Sequence, residues 1–297
     1  MKNRTKFFAF TLSLFCLTII SASLPVYAAE KSQHEIVNRL WQQLNEKKLK
    51  LRSEAALIVD RFNNPIYDKS ADTPMPIASI TKLMTAVVIL DSKLPLDEKI
   101  TITKADRDLI RLTGSRLKYG ATLTRKEMIQ LALMSSENRA ATSLGRTYPG
   151  GMKAFVKAMN NMAKKLGMNN STFADPAGLK TENQASPRDL VTLVRTAHSY
   201  PLIQQATTQK KLTVRPYKKK GPLNYGNTNR LLKNKKWSID LSKTGYINEA
   251  GRCLVMQADI AGQPLVIVLL NSFGKLTPFG DSNRIKKWIE KGVKQQG

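Results

Sequence analysis

A serine and a lysine three positions apart are the residues in this sequence whose types and spacing could support covalent chemistry. Ser79 and Lys82 open a mostly apolar stretch, residues 79–90, which we expect to form a buried helix. Residues three apart lie on the same face of a helix. A hydroxyl becomes a good nucleophile when a base removes its proton, and a lysine in a partly dry site can lose its charge and act as that base. The pair is therefore a candidate nucleophile and base, next to free N–H groups at the helix start.

An S-x-x-K spacing on its own has a plain alternative, in which the serine caps the helix and the lysine points to solvent. Two more short motifs weigh against that alternative. Ser136-Glu137-Asn138 follows a predicted helix that ends near Met134, and Lys243-Thr244-Gly245 lies in a strand-like run, residues 238–247. We interpret Glu137 as structural, because its side chain is expected to point away from the cleft that its two neighbours face.

The order S-x-x-K, S-x-N and K-T-G resembles the triple signature of penicillin-binding proteins and serine β-lactamases. Other segments are similar to the low-molecular-weight penicillin-binding proteins in particular. These segments are residues 76–79, 131–141, 148–151, 166–170, 175–179 and 227–229. The resemblance extends from about Ala55 to about Ile289, which is nearly all of the chain after its N-terminal segment.

This resemblance implies a serine DD-peptidase that acts on the stem peptides of peptidoglycan, is acylated by β-lactam antibiotics and needs no metal or cofactor. Ser79 would be the nucleophile, Lys82 the base, and Ser136 a proton relay. Substrate binding is implied for Asn138, Lys243, Thr244 and Gly245, and the oxyanion hole for the backbone N–H groups of Ser79 and Tyr246. Because Gly245 has no side chain, we expect substrate to lie along that strand edge.

Two activities are compatible with these residues, which differ in the bond that is cut. An endopeptidase would cut cross-links, and a carboxypeptidase would remove a terminal D-Ala. A β-lactamase is disfavoured, because Glu182 is the only glutamate between Asn138 and Lys243 and its surroundings do not resemble a deacylation motif. A basic wall-binding protein that keeps the fold without catalysis is a further alternative. It is disfavoured because every motif position is intact.

The implied fold is α/β, an antiparallel sheet of about five strands covered by helices, with a mostly helical subdomain inserted at about residues 100–200. In this β-lactamase and transpeptidase type of fold, N-terminal strands join C-terminal strands in one sheet. We assign residues 54–293 to this domain and residues 29–53 to an N-terminal segment with an amphipathic helix, Glu30 to Arg52. Neither a second β-rich domain nor a C-terminal membrane anchor is expected.

Several local signals place the elements that position the motifs. Thr124 and Glu127 form a capping box that starts the helix leading to Ser136. Further helices are predicted for Asn138 to Arg146, Gly151 to Gly167, Ser186 to His198 and Asp281 to Val293, and a hairpin pairs Arg252 to Ile260 with Pro264 to Leu270. The polar segment Asp106 to Thr122 reads as a loop that borders the cleft.

The first residues predict export to the periplasm. Lys2, Arg4 and Lys6 precede an apolar run, and Val26-Tyr27-Ala28 fits the small-residue rule for signal-peptide cleavage. The assigned signal peptide is residues 1–28. A membrane anchor is the alternative, but the apolar run is short and is followed by Ser and Pro.

Cysteine content and net charge limit the kinds of site and partner that the protein can have. Cys16 leaves with the signal peptide, so only Cys253 remains, in an apolar strand where we expect a small buried hydrophobe. Two histidines and one thiol do not favour a zinc site. The net charge of +26 falls to +23 without the signal peptide, which suits weak association with anionic cell wall or membrane surfaces. Plain solubility is the alternative, and export disfavours a nucleic-acid partner.

Overall fold

The computed structural model describes residues 34–294, so the predicted signal peptide and residues 29–33 lie outside the described part. Residues 34–42 form a helix, α1. The predicted helix Glu30 to Arg52 is therefore too long at its C-terminal end. Asn45 has an extended backbone and accepts a hydrogen bond from Lys47 N at 3.0 Å, so it caps a separate 3-10 turn, Glu46–Lys48. Asparagine favours such caps over helix interiors, which is why the pattern breaks there.

The remaining elements follow in chain order. The strands are β1 (Ser53–Val59), β2 (Pro65–Lys69), β3 (Met75–Pro76), β4 (Lys99–Thr101), β5 (Thr122–Thr124), β6 (Gln184–Ala185), β7 (Lys211–Val214), β8 (Leu223–Gly226), β9 (Ser238–Ile247), β10 (Gly251–Ile260) and β11 (Gln263–Ser272). The helices are α2 (Thr81–Asp91), α3 (Arg125–Met134), α4 (Asn138–Arg146), α5 (Gly151–Lys165), α6 (Pro187–His198), α7 (Pro201–Thr208) and α8 (Thr277–Lys294).

The main sheet has five antiparallel strands in the order β2-β1-β11-β10-β9. The predicted fold class is confirmed, and so is the pairing of N-terminal with C-terminal strands. Six of the seven residues of β1 are buried, so both faces of the sheet are covered at its centre. Helices α6 and α8 both contact β1 and β11. β9 is an edge strand, and its free side is available to another chain in extended conformation.

Helix α2 is the central helix that the apolar stretch after Ser79 predicted. Its residues from Thr81 to Ile89 are all buried, including the lysine. The α-helix begins two residues later than expected, because a 3-10 turn, Ala78–Ile80, precedes it and carries Ser79. Thr81 stabilises this junction, since its Oγ1 donates a 2.7 Å hydrogen bond to the carbonyl of Ala78.

The other predicted helices and the β10–β11 hairpin are confirmed to within a few residues. Thr124 and Glu127 form the predicted capping box at the start of α3, and Ser186 caps α6 with Pro187 in its first turn. Five elements were not predicted, namely α7 and the strands β3, β5, β6 and β8. Within residues 34–294, none of the helices combines the length and the apolar character that a membrane crossing requires.

Candidate active site

The turn that carries Ser79 is held between two glycines from other segments. A Cβ atom on Gly178 would lie 1.9 Å from the carbonyl oxygen of Ala78, and one on Gly245 would lie 3.1 Å from Ser79 N. Ala78 itself has a φ of +47°, a conformation that costs energy in a non-glycine residue and persists only where surrounding packing imposes it. The two glycines therefore allow a strained turn to be packed on both sides.

The structure gives Gly245 a packing role in addition to the substrate role that the sequence suggested. The strand-edge argument assumed that a side chain there would obstruct substrate. A Cβ atom on Gly245 would lie 2.8 Å from the carbonyl oxygen of Ile77, facing the Ser79 turn. The glycine allows β9 to approach the turn closely, and this approach sets the distance between Ser79 and the strand.

Lys82 is fully buried one helical turn from Ser79, and its amine has three neighbours. Nζ lies 2.6 Å from Ser79 Oγ, 2.8 Å from Asn138 Oδ1 and 2.6 Å from the carbonyl oxygen of Ala177. The amide and carbonyl oxygens can only accept hydrogen bonds. A neutral amine has two N–H groups for them, so its lone pair faces the serine hydroxyl. This geometry suits proton removal from Ser79.

Burial is the largest influence on the charge of Lys82 and lowers its pKa from 10.5 to about 7. The negative charges of Asp175, Glu137 and Asp108 act in the opposite direction and limit the fall in its pKa. A base is most effective when its pKa lies near the working pH, and an ordinary lysine is far too basic to be neutral there. The site therefore provides a lysine that is neutral in a large fraction of molecules at pH 7.

The side-chain amide of Asn138 is oriented by a short chain of hydrogen bonds from the loop between β4 and β5. Asn138 Nδ2 donates to Thr113 Oγ1 at 2.8 Å, and Thr113 Oγ1 donates to Asp108 Oδ2 at 2.6 Å. Because the ionised carboxylate can only accept, the threonine proton points to it and the amide N–H points to the threonine. The amide oxygen is thereby turned toward Lys82.

The carbonyl of Ala177 is held in place by a carboxylate at the centre of its loop. Asp175 accepts hydrogen bonds from the backbone N–H groups of residues 177, 178, 179 and 180, at 2.7 to 3.2 Å. Asn183 adds a side-chain hydrogen bond to the same carboxylate at 2.6 Å. A carboxylate with this many donors fixes the loop, so the Ala177 carbonyl that contacts Lys82 is pre-positioned.

Ser136 and Lys243 form a second hydroxyl–amine pair. Lys243 Nζ donates to Ser136 Oγ at 3.0 Å and to the carbonyl of Thr244 at 2.8 Å. Burial lowers the pKa of Lys243 well below 10.5, and the positive charge of Lys82 lowers it further. Ser136 lies in the turn between α3 and α4 with a φ of +60°, a strained conformation in a residue of the candidate site.

Ser79, Ser136 and Asn138 border one cleft with a volume of about 300 Å³. Thr244 Oγ1 forms a 2.7 Å hydrogen bond with Thr228 Oγ1, so two hydroxyl groups lie together on the cleft wall. The cleft is lined by Ser79, Ser136, Asn138, Thr228, Arg230, Thr244, Gly245, Tyr246, Arg252, Cys253, Lys275, Pro278 and Phe279. Cys253 is almost completely buried, and burial raises the pKa of its thiol to about 12, which does not suit a nucleophile.

The structure brings together all the residues that the three motifs nominated. It also adds Asp108, Thr113, Ala177, Asp175 and Thr228, to which the sequence assigned no role. The loop prediction for residues 106–122 and the similarity of residues 175–179 and 227–229 to other proteins indicated the right segments, but not these contacts. Glu137 accepts a hydrogen bond from Arg139 N at the start of α4, in keeping with its structural interpretation.

The family model for D-alanyl-D-alanine carboxypeptidase, peptidase family S11, matches residues 42–274 of this chain. Two D-alanyl-D-alanine endopeptidases are similar along most of their length. The protein from Pseudomonas aeruginosa is 44% identical, with 95% of this chain and 86% of that protein aligned. The protein from Escherichia coli is 46% identical over 82% of this chain and 78% of that protein.

Solved structures show the same fold. The Streptomyces K15 DD-transpeptidase has a TM-score of 0.75 at 27% identity, covering 81% of this chain and 97% of that one. Penicillin-binding protein D2 from Listeria monocytogenes, solved in a cefotaxime-bound form, has a TM-score of 0.69 at 29% identity, covering 81% of this chain and 98% of that one.

Proposed function

This chain belongs to peptidase family S11, the serine DD-peptidase family whose description is D-alanyl-D-alanine carboxypeptidase. From this premise we propose that it is a D-alanyl-D-alanine endopeptidase. Its substrates in this proposal are the peptide cross-links of peptidoglycan. The endopeptidase assignment is supported by the 44% and 46% identity to proteins with that name. Relatives named D-alanyl-D-alanine carboxypeptidase are 28% to 30% identical.

The observation that carries the catalytic proposal is the 2.6 Å separation between Lys82 Nζ and Ser79 Oγ inside a buried pocket. As Ser79 Oγ attacks the carbonyl carbon of a D-Ala residue, its proton passes to the neutral amine of Lys82. The carbonyl oxygen becomes an oxyanion, which the backbone N–H groups of Ser79 and Tyr246 stabilise. Each such donor contributes about 3 kcal/mol in other acyl-transfer enzymes.

Collapse of the tetrahedral intermediate breaks the C–N bond and leaves D-Ala joined to Ser79 as an ester. The proton that Lys82 took from Ser79 is relayed to the leaving amine by the hydroxyl of Ser136, which Lys243 polarises at 3.0 Å, and Lys82 becomes neutral again. Asn138 aligns the substrate amide, while Lys243 and the hydroxyl of Thr244 attract the carboxylate of the leaving residue. Water then hydrolyses the ester, restoring the Ser79 hydroxyl and releasing the shortened peptide.

Penicillin should acylate Ser79 by the same steps, and the resulting ester should be hydrolysed slowly. None of the described residues that line the cleft is a glutamate. The carboxylate of Glu182 is exposed and accepts a hydrogen bond from Thr181 Oγ1 at 3.1 Å. Glu182 does not line the cleft, so it is not placed to activate water there. This supports a long-lived penicilloyl-enzyme rather than the rapid hydrolysis of a β-lactamase.

Carboxypeptidase action on a terminal D-Ala is the second candidate, because it needs the same residues and gives the family its description. Digestion of purified muropeptides distinguishes the two. Mass spectrometry would show dimers converted to monomers for an endopeptidase, or pentapeptides shortened by one alanine for a carboxypeptidase.

The remaining parts of the proposal concern location and domain limits. We place the enzyme in the periplasm, with signal-peptide cleavage after about Ala28 and a catalytic domain over residues 54–293. Its excess of 48 basic over 22 acidic residues supports weak association with anionic wall or membrane surfaces. Elution of the mature protein from isolated walls by salt would test that association.

Replacement of Ser79 by alanine tests the nucleophile. We expect Ser79→Ala to lose both muropeptide turnover and penicillin labelling, since no other hydroxyl lies against Lys82 Nζ among the described residues. Intact mass after incubation with penicillin measures the adduct. Ser238→Ala, at the exposed first residue of β9, is the matched control and should label normally. Labelling of Ser79→Ala at the wild-type rate would exclude this mechanism.

A further inference from the structure

The cleft extends beyond the residues that carry out acylation. It is also lined by Arg230, which begins a 3-10 turn, and by Lys275 in the connection between β11 and α8. Arg252 on β10 lines the same cleft, with its guanidinium 3.5 Å from the centre of the Tyr246 ring. The cleft therefore receives cationic side chains from three separate segments of the chain.

The positive charge of the cleft lining is not compensated by acidic side chains. Among the described residues that line the cleft, none is acidic. Neither Arg230 nor Lys275 forms an ion pair with any residue in the range 34–294, whereas Arg111, Arg146 and Arg188 each do. Unpaired cations that line one cleft attract anions, so this arrangement favours a negatively charged ligand.

The position of these cations identifies the half of the substrate that they face. In the proposed mechanism the carboxylate of the leaving residue binds at the Thr244 hydroxyl, which is hydrogen-bonded to Thr228. Arg230 follows Thr228 by two positions and lines the same cleft. This places Arg230 beside the leaving residue, on that side of the scissile bond.

We propose that Arg230 and Lys275 form a subsite for a second carboxylate of the leaving peptide, beyond the one next to the scissile bond. This inference rests on the proposed endopeptidase function. A single leaving D-Ala has one carboxylate and cannot reach such a subsite. The acceptor stem of a cross-link carries further carboxylates, so the subsite selects cross-linked over linear peptides.

The test uses two synthetic cross-linked dimers with the same scissile bond. In one the distant carboxylates of the acceptor stem are free, and in the other they are amidated. We expect the wild-type enzyme to cleave the free acid with a kcat/KM about tenfold higher, chiefly through KM, and to lose this preference as salt rises. In Arg230→Gln and Lys275→Gln, the ratio of the two kcat/KM values should fall about threefold, and in the double variant it should approach one.

Lys287→Gln, an exposed residue of α8 outside the cleft, is the charge-matched control and should keep the wild-type ratio. A wild-type enzyme that cleaves both dimers equally, or a double variant that keeps the preference, would overturn the subsite. If a variant folds poorly, the wild-type kcat/KM ratio for the two dimers and its dependence on salt still test the subsite. If wild-type protein neither forms a penicillin adduct nor cleaves either dimer, the proposed function itself fails.

Discussion

At the scale of single residues, the protonation of Lys82 controls the proposed reaction. Its pKa of about 7 means that the neutral fraction is one half at pH 7 and falls roughly tenfold for each pH unit well below it. We therefore expect penicillin acylation of Ser79 to rise with pH up to about 7 and then level off. Stopped-flow or quenched-flow acylation rates between pH 5 and 9 measure this profile.

Two controls accompany the pH profile. The melting temperature over the same range separates titration of Lys82 from unfolding. Lys82→Arg replaces the amine by a guanidinium that does not lose its proton, so it should acylate negligibly at every pH. A rate that still rises about tenfold per pH unit at pH 9 would mean that Lys82 keeps its ordinary lysine pKa and that burial does not lower it.

Gly245 offers a second residue-scale prediction. An added Cβ in Gly245→Ala meets two backbone atoms, Ile77 O and Ser79 N, neither of which can move like a flexible side chain. β9 must shift away from the turn, which separates the two N–H groups of the oxyanion hole. We expect acylation by penicillin to slow by about 100-fold, the effect of losing one such donor.

Gly226→Ala is the matched control for this substitution. Gly226 also lies in a strand, but no heavy atom lies within 4 Å of the position that an added Cβ would occupy, so the methyl group has space. This variant should acylate at the wild-type rate. Near-normal acylation by Gly245→Ala would mean that the turn and the strand can separate without harm.

Residue types explain how much of the site the sequence could predict. Ser79, Lys82 and Lys243 act through side chains whose chemistry follows from residue type. Each belongs to a short motif, and the order of the motifs along the chain suffices to nominate them. Ala177 contributes a carbonyl group, which every residue has, so no sequence pattern could mark it. Asp108 and Thr113 act through a loop whose path depends on tertiary packing, and the contact of Thr113 with Asn138 spans 25 positions of the chain.

At the scale of elements, the loop from Asp175 to Asn183 holds the third partner of Lys82. Asp175→Asn replaces one acceptor oxygen by an NH2 group, which cannot accept hydrogen bonds from the backbone N–H groups that surround it. We expect a loss of about 2–3 kcal/mol in the free energy of unfolding, since buried donors are left unpaired. Chemical denaturation measures this loss, and Asp97→Asn, at an exposed position, is the control.

The same variant makes a distinct electrostatic prediction. Asp175 is the largest of the charges that raise the pKa of Lys82, so its neutralisation lowers that pKa further. The midpoint of the acylation profile should therefore move to a pH below about 7. A purely structural role for Asp175 would reduce the rate at every pH and leave the midpoint unchanged.

The elements that the sequence predicted well have strong local signals. α4, α6 and the β10–β11 hairpin begin or end at caps, prolines and turns that act over a few residues. α7 has only eight residues, is rich in Gln and Thr, and follows α6 after a two-residue break, so its helical pattern is short. β8 gains its strand character from pairing with β7, a contact between segments that local periodicity does not reveal.

At the scale of the whole molecule, a buried carboxylate connects the start of the sheet to the last helix. Asp281 accepts hydrogen bonds from Ser53 N at 2.8 Å, Ser53 Oγ at 2.6 Å and Arg52 N at 3.1 Å, and it pairs with Arg284. We expect Asp281→Asn to lower the free energy of unfolding by about 2–4 kcal/mol, because a charge-assisted buried network is broken.

Urea denaturation followed by tryptophan fluorescence measures this effect, again with Asp97→Asn as the control. The folded fraction should still form the penicillin adduct at low temperature, since Asp281 does not line the cleft. An unchanged midpoint of denaturation would show that the connection between β1 and α8 contributes little.

The strand order β2-β1-β11-β10-β9 has a consequence for biosynthesis. β1 lies at residues 53–59, but its partner β11 is made about two hundred residues later, at residues 263–272. Until the ribosome has delivered that partner, β1 and β2 form a two-stranded ribbon, which is marginally stable on its own. The nascent chain should therefore remain unfolded through most of its synthesis, and collapse into its native sheet should be a late, slow event governed by long-range contacts.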